Sequence, residues 1–117
     1  MDNINPSIPA LLLRLHIGPH RKGFRYIKET ISLLMDGKCK NIMEAYRVIS
    51  NEYGASVNSI EVACRRAVRE GMMECSKEMK LRVFGYDIDV EPRGGRDYYK
   101  IKEFIPYVIN YLNLDSE

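Results

Sequence analysis

An all-α fold is what this sequence predicts: a compact bundle of about six helices containing a helix-turn-helix, with a winged-helix-like trihelical core and no substantial sheet. Three observations predict it. Apolar residues recur at steps of three and four through most of the chain, two such stretches meet across a short link at Gly54, and strand-like alternation is confined to Tyr86, Ile88 and Val90. With 117 residues, 45% of them hydrophobic and 29% charged, there is material for one ordinary core, so residues 1–117 read as a single domain.

Residues 1–9 read as a loose leader, and a short helix follows over the apolar run from Ala10 to Leu15, closed by the turn signal Gly18-Pro19. From Gly23 onward Phe24, Ile27, Ile31, Leu34 and Met35 share one side of a helix that Gly37 stops. Asn41 followed by Glu44 has the form of a capping box, in which each side chain satisfies a free backbone N–H. Ile42, Ala45, Ile49 and Tyr53 then make the apolar stripe of a helix that ends at Gly54. Ser56 or Asn58 caps the next helix, whose inward stripe is Ile60, Ala63, Cys64, Ala67 and Val68. Beyond Gly71, Met72, Met73, Met79, Leu81, Val83 and Phe84 suggest a further helix closing at Phe84-Gly85. Residues 85–101 hold Pro92, Gly94 and Gly95 and read as a mobile loop. Phe104, Ile105, Val108, Ile109 and Leu112 build the last helix, which should start near Lys102 so that Pro106 falls in its first turn.

Composition removes several classes of function. No apolar run approaches the ~20 residues that span a bilayer, and the amino terminus has no basic stretch before an apolar segment, so the chain is expected in the cytoplasm and away from membranes. Cys39, Cys64 and Cys75 fit neither a disulfide framework nor a CxxC pair and read as reduced filler. His16 and His20 would suit a metal only on one regular helix, which Gly18-Pro19 interrupts. Neither His has a Ser, Cys or acid at a recognisable motif spacing, and no Gly-rich phosphate loop follows a strand, so an enzyme is not expected, nor is any metal or cofactor. A net charge of +2 is too small to argue for nucleic acid by itself; the distribution of charge must carry that reading.

The distribution points to the segment from Ile49 to Ala67. A helix-turn-helix needs a tight bend flanked by apolar residues that lock two helices at a steep angle, so that the second can lie in the major groove of DNA. Ile49 and Tyr53 are expected on the buried side of the first helix, Ser50 permits close approach, Gly54 turns the chain, and Ala55, Ile60 and Ala63 close the angle. At about 100° per residue, Asn58, Glu61, Val62, Arg65 and Arg69 gather opposite the inward stripe, with Arg66 at the edge. Asn pairs with adenine, Arg with guanine or phosphate, Glu with the cytosine amine, and Val with the thymine methyl. The predicted base-reading set is therefore Ser56, Asn58, Ser59, Glu61, Val62 and Arg65. Arg66 and Arg69 are assigned to phosphates, as are Arg21 and Lys22 from a second basic cluster that also holds Arg14, Arg25 and Lys28. Lys22 and Gly23 would open a helix and so combine a cation with free N–H groups. The plainer alternative makes both clusters the solvated faces of amphipathic helices. A protein-interaction module is the rival function, with Val62 as its signal.

The sequence also resembles a known family, the DNA-binding effector domain of the sporulation master response regulator. His20-Arg21-Lys22-Gly23-Phe24-Arg25-Tyr26 is similar to that family's His-x-Lys-Gly-Tyr-x-Tyr, and Glu29-Thr30-Ile31-Ser32 follows it. Tyr53, Ile60-Glu61, Ala63 and Arg65 are similar in the helix-turn-helix, as is Phe84-Gly85-Tyr86 at the end of the penultimate helix, so the resemblance covers roughly Leu13 to Leu114. It implies six helices without substantial sheet, regulation of transcription, and binding to short boxes of double-stranded DNA as adjacent copies. A homodimer on those boxes and RNA polymerase are the further partners it implies. In the family a phosphorylatable receiver precedes this domain, whereas Met1 stands almost directly before the effector region, so a stand-alone paralogue or a truncated regulator is expected. Ser59 and Val62 occupy positions where arginines are expected, Arg65 is kept, and Arg66 stands in place of His, which predicts a different DNA target. The Gly18-Pro19-His20 loop is also shorter than the family's. A paralogue that has lost DNA specificity and pairs with a full-length regulator is the corresponding alternative.

Overall fold

The computed structural model describes residues 7–84 and 101–115, which form six helices and, among the described residues, no strand. They are α1 (Ser7–Arg14), α2 (Lys22–Met35), α3 (Ile42–Tyr53), α4 (Val57–Glu74), α5 (Lys77–Phe84) and α6 (Ile101–Asp115). The alternation at Tyr86, Ile88 and Val90 and all but the last residue of the expected 85–101 loop lie outside the described residues, as do residues 1–6.

α1 begins earlier than its apolar run suggests. Ser7, Ile8 and Pro9 belong to the helix, and Ile8 is fully buried with Leu11, Leu12 and Leu15, at the i, i+3, i+4, i+7 spacing of a single face. Pro9 is tolerated because the first-turn N–H groups have no intrahelical partner to lose. The helix closes with His16 in the left-handed region, φ 64°, where the Ile17 N–H donates to Leu12 O and the His16 N–H to Leu13 O. That pair of bonds is a Schellman ending built on His rather than Gly. Gly37, φ 75°, ends α2 with the same two bonds, from Lys38 N to Leu33 O and from Gly37 N to Leu34 O.

α2 is the centre of the molecule and packs against α1, α3, α4 and α6. Its broadest packing is with α4, and the sequence permits that at Gly23. A Cβ there would overlap the Ala63 carbonyl oxygen and stand 2.6 Å from the Ala67 Cβ, so two helix backbones meet where neither helix has a bulky side chain. Gly71 does a related job further along α4. It was expected near a helix end, yet α4 continues through it to Glu74, because its bare backbone receives the turn after α1: a Cβ would lie 2.9 Å from both Ile17 Cγ1 and Leu15 O. Met72 and Met73 consequently belong to α4, and α5 starts afresh behind Ser76, whose Oγ accepts the Met79 N–H.

The three cysteines are buried and free. Burial pushes the Cys64 thiol up to about 12, which keeps it protonated and suits an inert core position. α6 begins at Ile101, so Pro106 sits in the second turn rather than the first, where its missing N–H leaves the Lys102 carbonyl without its helical donor. The helix persists because Phe104, Ile105, Val108 and Leu112 are buried in the common core, each such side chain contributing about 1.5–3 kcal/mol. No helix among the described residues is long and apolar enough to cross a membrane.

The α2–α4 contact yields a prediction in which two effects oppose each other. Gly23→Ala gains up to about 1 kcal/mol of helix propensity, while overpacking against a rigid backbone costs about 1–3 kcal/mol or more. Because the obstructing atom is a carbonyl oxygen of α4, the second effect should win, and urea denaturation should show net destabilisation; a variant as stable as the parent would mean the helices can separate freely.

Candidate nucleic-acid interface

α3, the following turn and α4 form the helix-turn-helix. At its start the Asn41 side chain accepts the Glu44 N–H at 2.9 Å, and Glu44 reaches back to the Lys40 N–H at 2.9 Å, a capping box offset by one residue from the usual reciprocal pair. Ala45, Tyr46 and Ile49 face the core. Gly54 adopts φ 72° and its N–H donates to Ser50 O, which turns the chain after one left-handed residue. Ser50 contributes more than small size: its hydroxyl donates to Ala55 O at 2.6 Å and holds the turn closed. Ser56 then caps α4, accepting the Ser59 N–H at 3.0 Å, with the two hydroxyls 2.9 Å apart.

Tyr53, expected to be buried, is 38% exposed. It stands at the rim of the turn with its ring edge on Tyr26 at 5.8 Å between centroids, its hydroxyl donating to Glu29 and the Arg25 guanidinium 5.6 Å from its ring centroid. Its hydroxyl has a partner only at the surface, which is why the ring is half out. The hydrogen bond to Glu29 and burial push the Tyr53 phenol up to about 12. Glu52 lies against the same carboxylate, and repulsion from Glu29 raises the Glu52 carboxyl above its ordinary range.

α4 presents its outer surface along Ser59, Val62, Arg66, Arg69 and Met73, of which Ser59, Arg66 and Met73 are exposed. Asn58 and Ser56 are exposed at its amino end. This face is rotated slightly from the expected one: Arg66 is more open than Arg65, and Glu61 is half-buried. The reason is α6, which packs beside α4 so that Glu61 lines an apolar groove with Tyr46, Ile105 and Ile109. Arg65 Nη1 stands 3.7 Å from Glu61 Oε2, too long for a hydrogen bond and open to solvent screening. On the opposite flank Arg21, the N-cap residue of α2, holds Glu70 of α4 with Nη2 to Oε1 at 2.8 Å. Lys22 opens α2 and is exposed, and the helix has no side-chain N-cap bond. Gly23 docks the start of α2 onto Ala63 and Ala67, which brings Arg21 to Glu70, while Glu61 stands on the other flank of α4 beside α6. Sequence reading missed Glu70 and the Arg25–Tyr53–Glu29 contacts; both join residues remote in sequence, and no local pattern marks them.

Residues 8–111 match the family model described as the sporulation initiation factor Spo0A C terminal. The chain belongs to that family. The Spo0A C-terminal domains are DNA-binding effector domains and not an enzyme family, so the helix-turn-helix lies in the setting its geometry indicates. The six-helix, all-α architecture agrees with the resemblance found in the sequence. No solved structure matches the chain.

Two expectations follow from these contacts. Ser56→Ala removes the acceptor for the Ser59 N–H in the first turn of α4 and should cost about 1 kcal/mol in chemical denaturation; no change would show that water replaces the cap. Glu52 has a raised carboxyl, so the folded state favours its protonated form: stability is full below the ordinary carboxylate range and declines as pH rises through it. Glu52→Gln should therefore melt slightly higher than the parent at pH 7, with the two curves converging at pH 3.

Proposed function

We propose that this protein is a sequence-specific DNA-binding regulator of transcription that acts as one effector domain, with α4 as its recognition helix in the major groove. The observation that carries this reading is the outer face of α4, polar at its amino end and basic beyond, set at the turn angle by Gly54 in a member of the Spo0A effector family. In such motifs the amino-terminal residues of the second helix meet base edges. Ser56, Asn58, Ser59, Glu61, Val62 and Arg65 are assigned to bases, and Lys22, Arg66 and Arg69 to phosphates. Arg65 lies one helical turn beyond Glu61, on the same flank of α4. Ser59 and Val62 cannot make the bidentate guanine contacts of arginine, so the preferred box carries fewer guanine contacts at those positions. Adjacent copies on neighbouring boxes and contact with RNA polymerase complete the reading as a transcription factor.

A second reading, a protein-interaction role without DNA specificity, is favoured by the partly exposed Val62 and by Met73, 62% exposed on the same stripe. Recovery of a full-length regulator on the immobilised chain, with no duplex bound at low salt, would establish it in place of the first.

Selection of bound duplexes from a randomised pool, followed by titration of variants, tests the DNA reading. Arg65→Ala should cost about 1–3 kcal/mol on the best site and blur one base position, while Arg69→Ala should weaken all sequences alike and lower the salt dependence by about one unit of slope. Equal affinity for every sequence both before and after the Arg65 change would remove its base-reading role.

A further inference from the structure

Glu70 is assigned to neither bases nor phosphates, yet it lies on the α2-facing flank of α4, one helical turn beyond Arg66 and in contact with Arg21, the neighbour of Lys22. Its Oε1 is shielded from solvent and accepts no hydrogen bond among the described residues; what it has is the charge of Arg21, whose Nη2 stands 2.8 Å away as an ion pair. The two side chains are otherwise 44% and 43% exposed, so the pair sits at the rim, where a phosphate can approach.

A phosphate that took Arg21 would gain a charge-assisted contact. It would also strip a water-shielded carboxylate oxygen of the one opposite charge beside it and would draw near that oxygen's negative charge. Every duplex presents the same phosphate charge, so this penalty does not depend on sequence. We propose that Glu70 restrains sequence-independent DNA affinity: it withholds Arg21 from phosphates, so that duplexes lacking the right base edges are held weakly. The inference rests on the DNA-binding reading. It makes Arg21 a cation kept in reserve at the interface, in contrast to Lys22.

Titration of the full chain with a random-sequence duplex between 50 and 200 mM salt tests this. Glu70→Gln keeps the side chain's size and removes its charge. It should bind about fivefold tighter near 0.1 M salt and steepen the slope of log affinity against log salt by about 0.9, the value of one added phosphate contact. Arg21→Gln alone should leave the slope of the parent unchanged, because Arg21 is already withheld, and the double variant should return to that slope. An unchanged or shallower slope in Glu70→Gln would falsify the restraint. So would a drop of about 0.9 in Arg21→Gln, which needs no Glu70 variant to fold. A parent chain that binds no duplex at 50 mM salt overturns the DNA-binding reading and the restraint together, whereas the slopes overturn the restraint alone.

Discussion

The contact between Gly23 of α2 and the Ala63–Ala67 ridge of α4 is the constraint on which the rest depends. Helices ordinarily pack with side chains between them, at 8–10 Å between axes; here a missing Cβ allows backbone to meet backbone near the start of α2. α2 also carries the packing of α1, α3 and α6, and α5 packs in turn on α6. The same contact sets the interface, because Arg21 and Lys22 immediately precede Gly23 and are delivered to the flank of α4 as a consequence of packing.

The interface is basic without being strongly so. The chain's net charge is +2, and two of its interface arginines face acids on α4, Arg65 near Glu61 and Arg21 on Glu70. Sequence-independent affinity for DNA scales with the number of phosphates neutralised. On the proposed DNA-binding reading, a domain that offsets its own arginines gives weight to base-edge contacts over bulk attraction. Ser59 and Val62 on the outer surface of α4 add no charge to it. Membership of the Spo0A C-terminal family agrees with the scaffold.

Much of the motif was legible because its signals are local. The Asn41–Glu44 cap, the left-handed turn at Gly54, the Ser56 cap and the buried Ile49 and Ile60 each depend on residues within one or two turns of one another. Readings that depended on a distant neighbour came out differently. Gly71 looked like a boundary because glycine disfavours helices, but its value lies in admitting the Leu15–Ile17 turn. Tyr53 fitted an apolar stripe, and its hydroxyl drew it to the surface through Glu29. Ile8 was hidden behind a proline that a first turn accommodates.

What the sequence by itself determined is the all-α class, the caps at Asn41 and Ser56 and the presence of a helix-turn-helix, since periodicity, capping and turn conformation are properties of short stretches of chain. Only the tertiary structure decided which way α4 faces and which of its charges are engaged. A helical wheel has no fixed zero until its neighbours are placed, and here α6 on one flank and α2 on the other turned Glu61 toward a groove, opened Arg66 and tied Arg21 to Glu70.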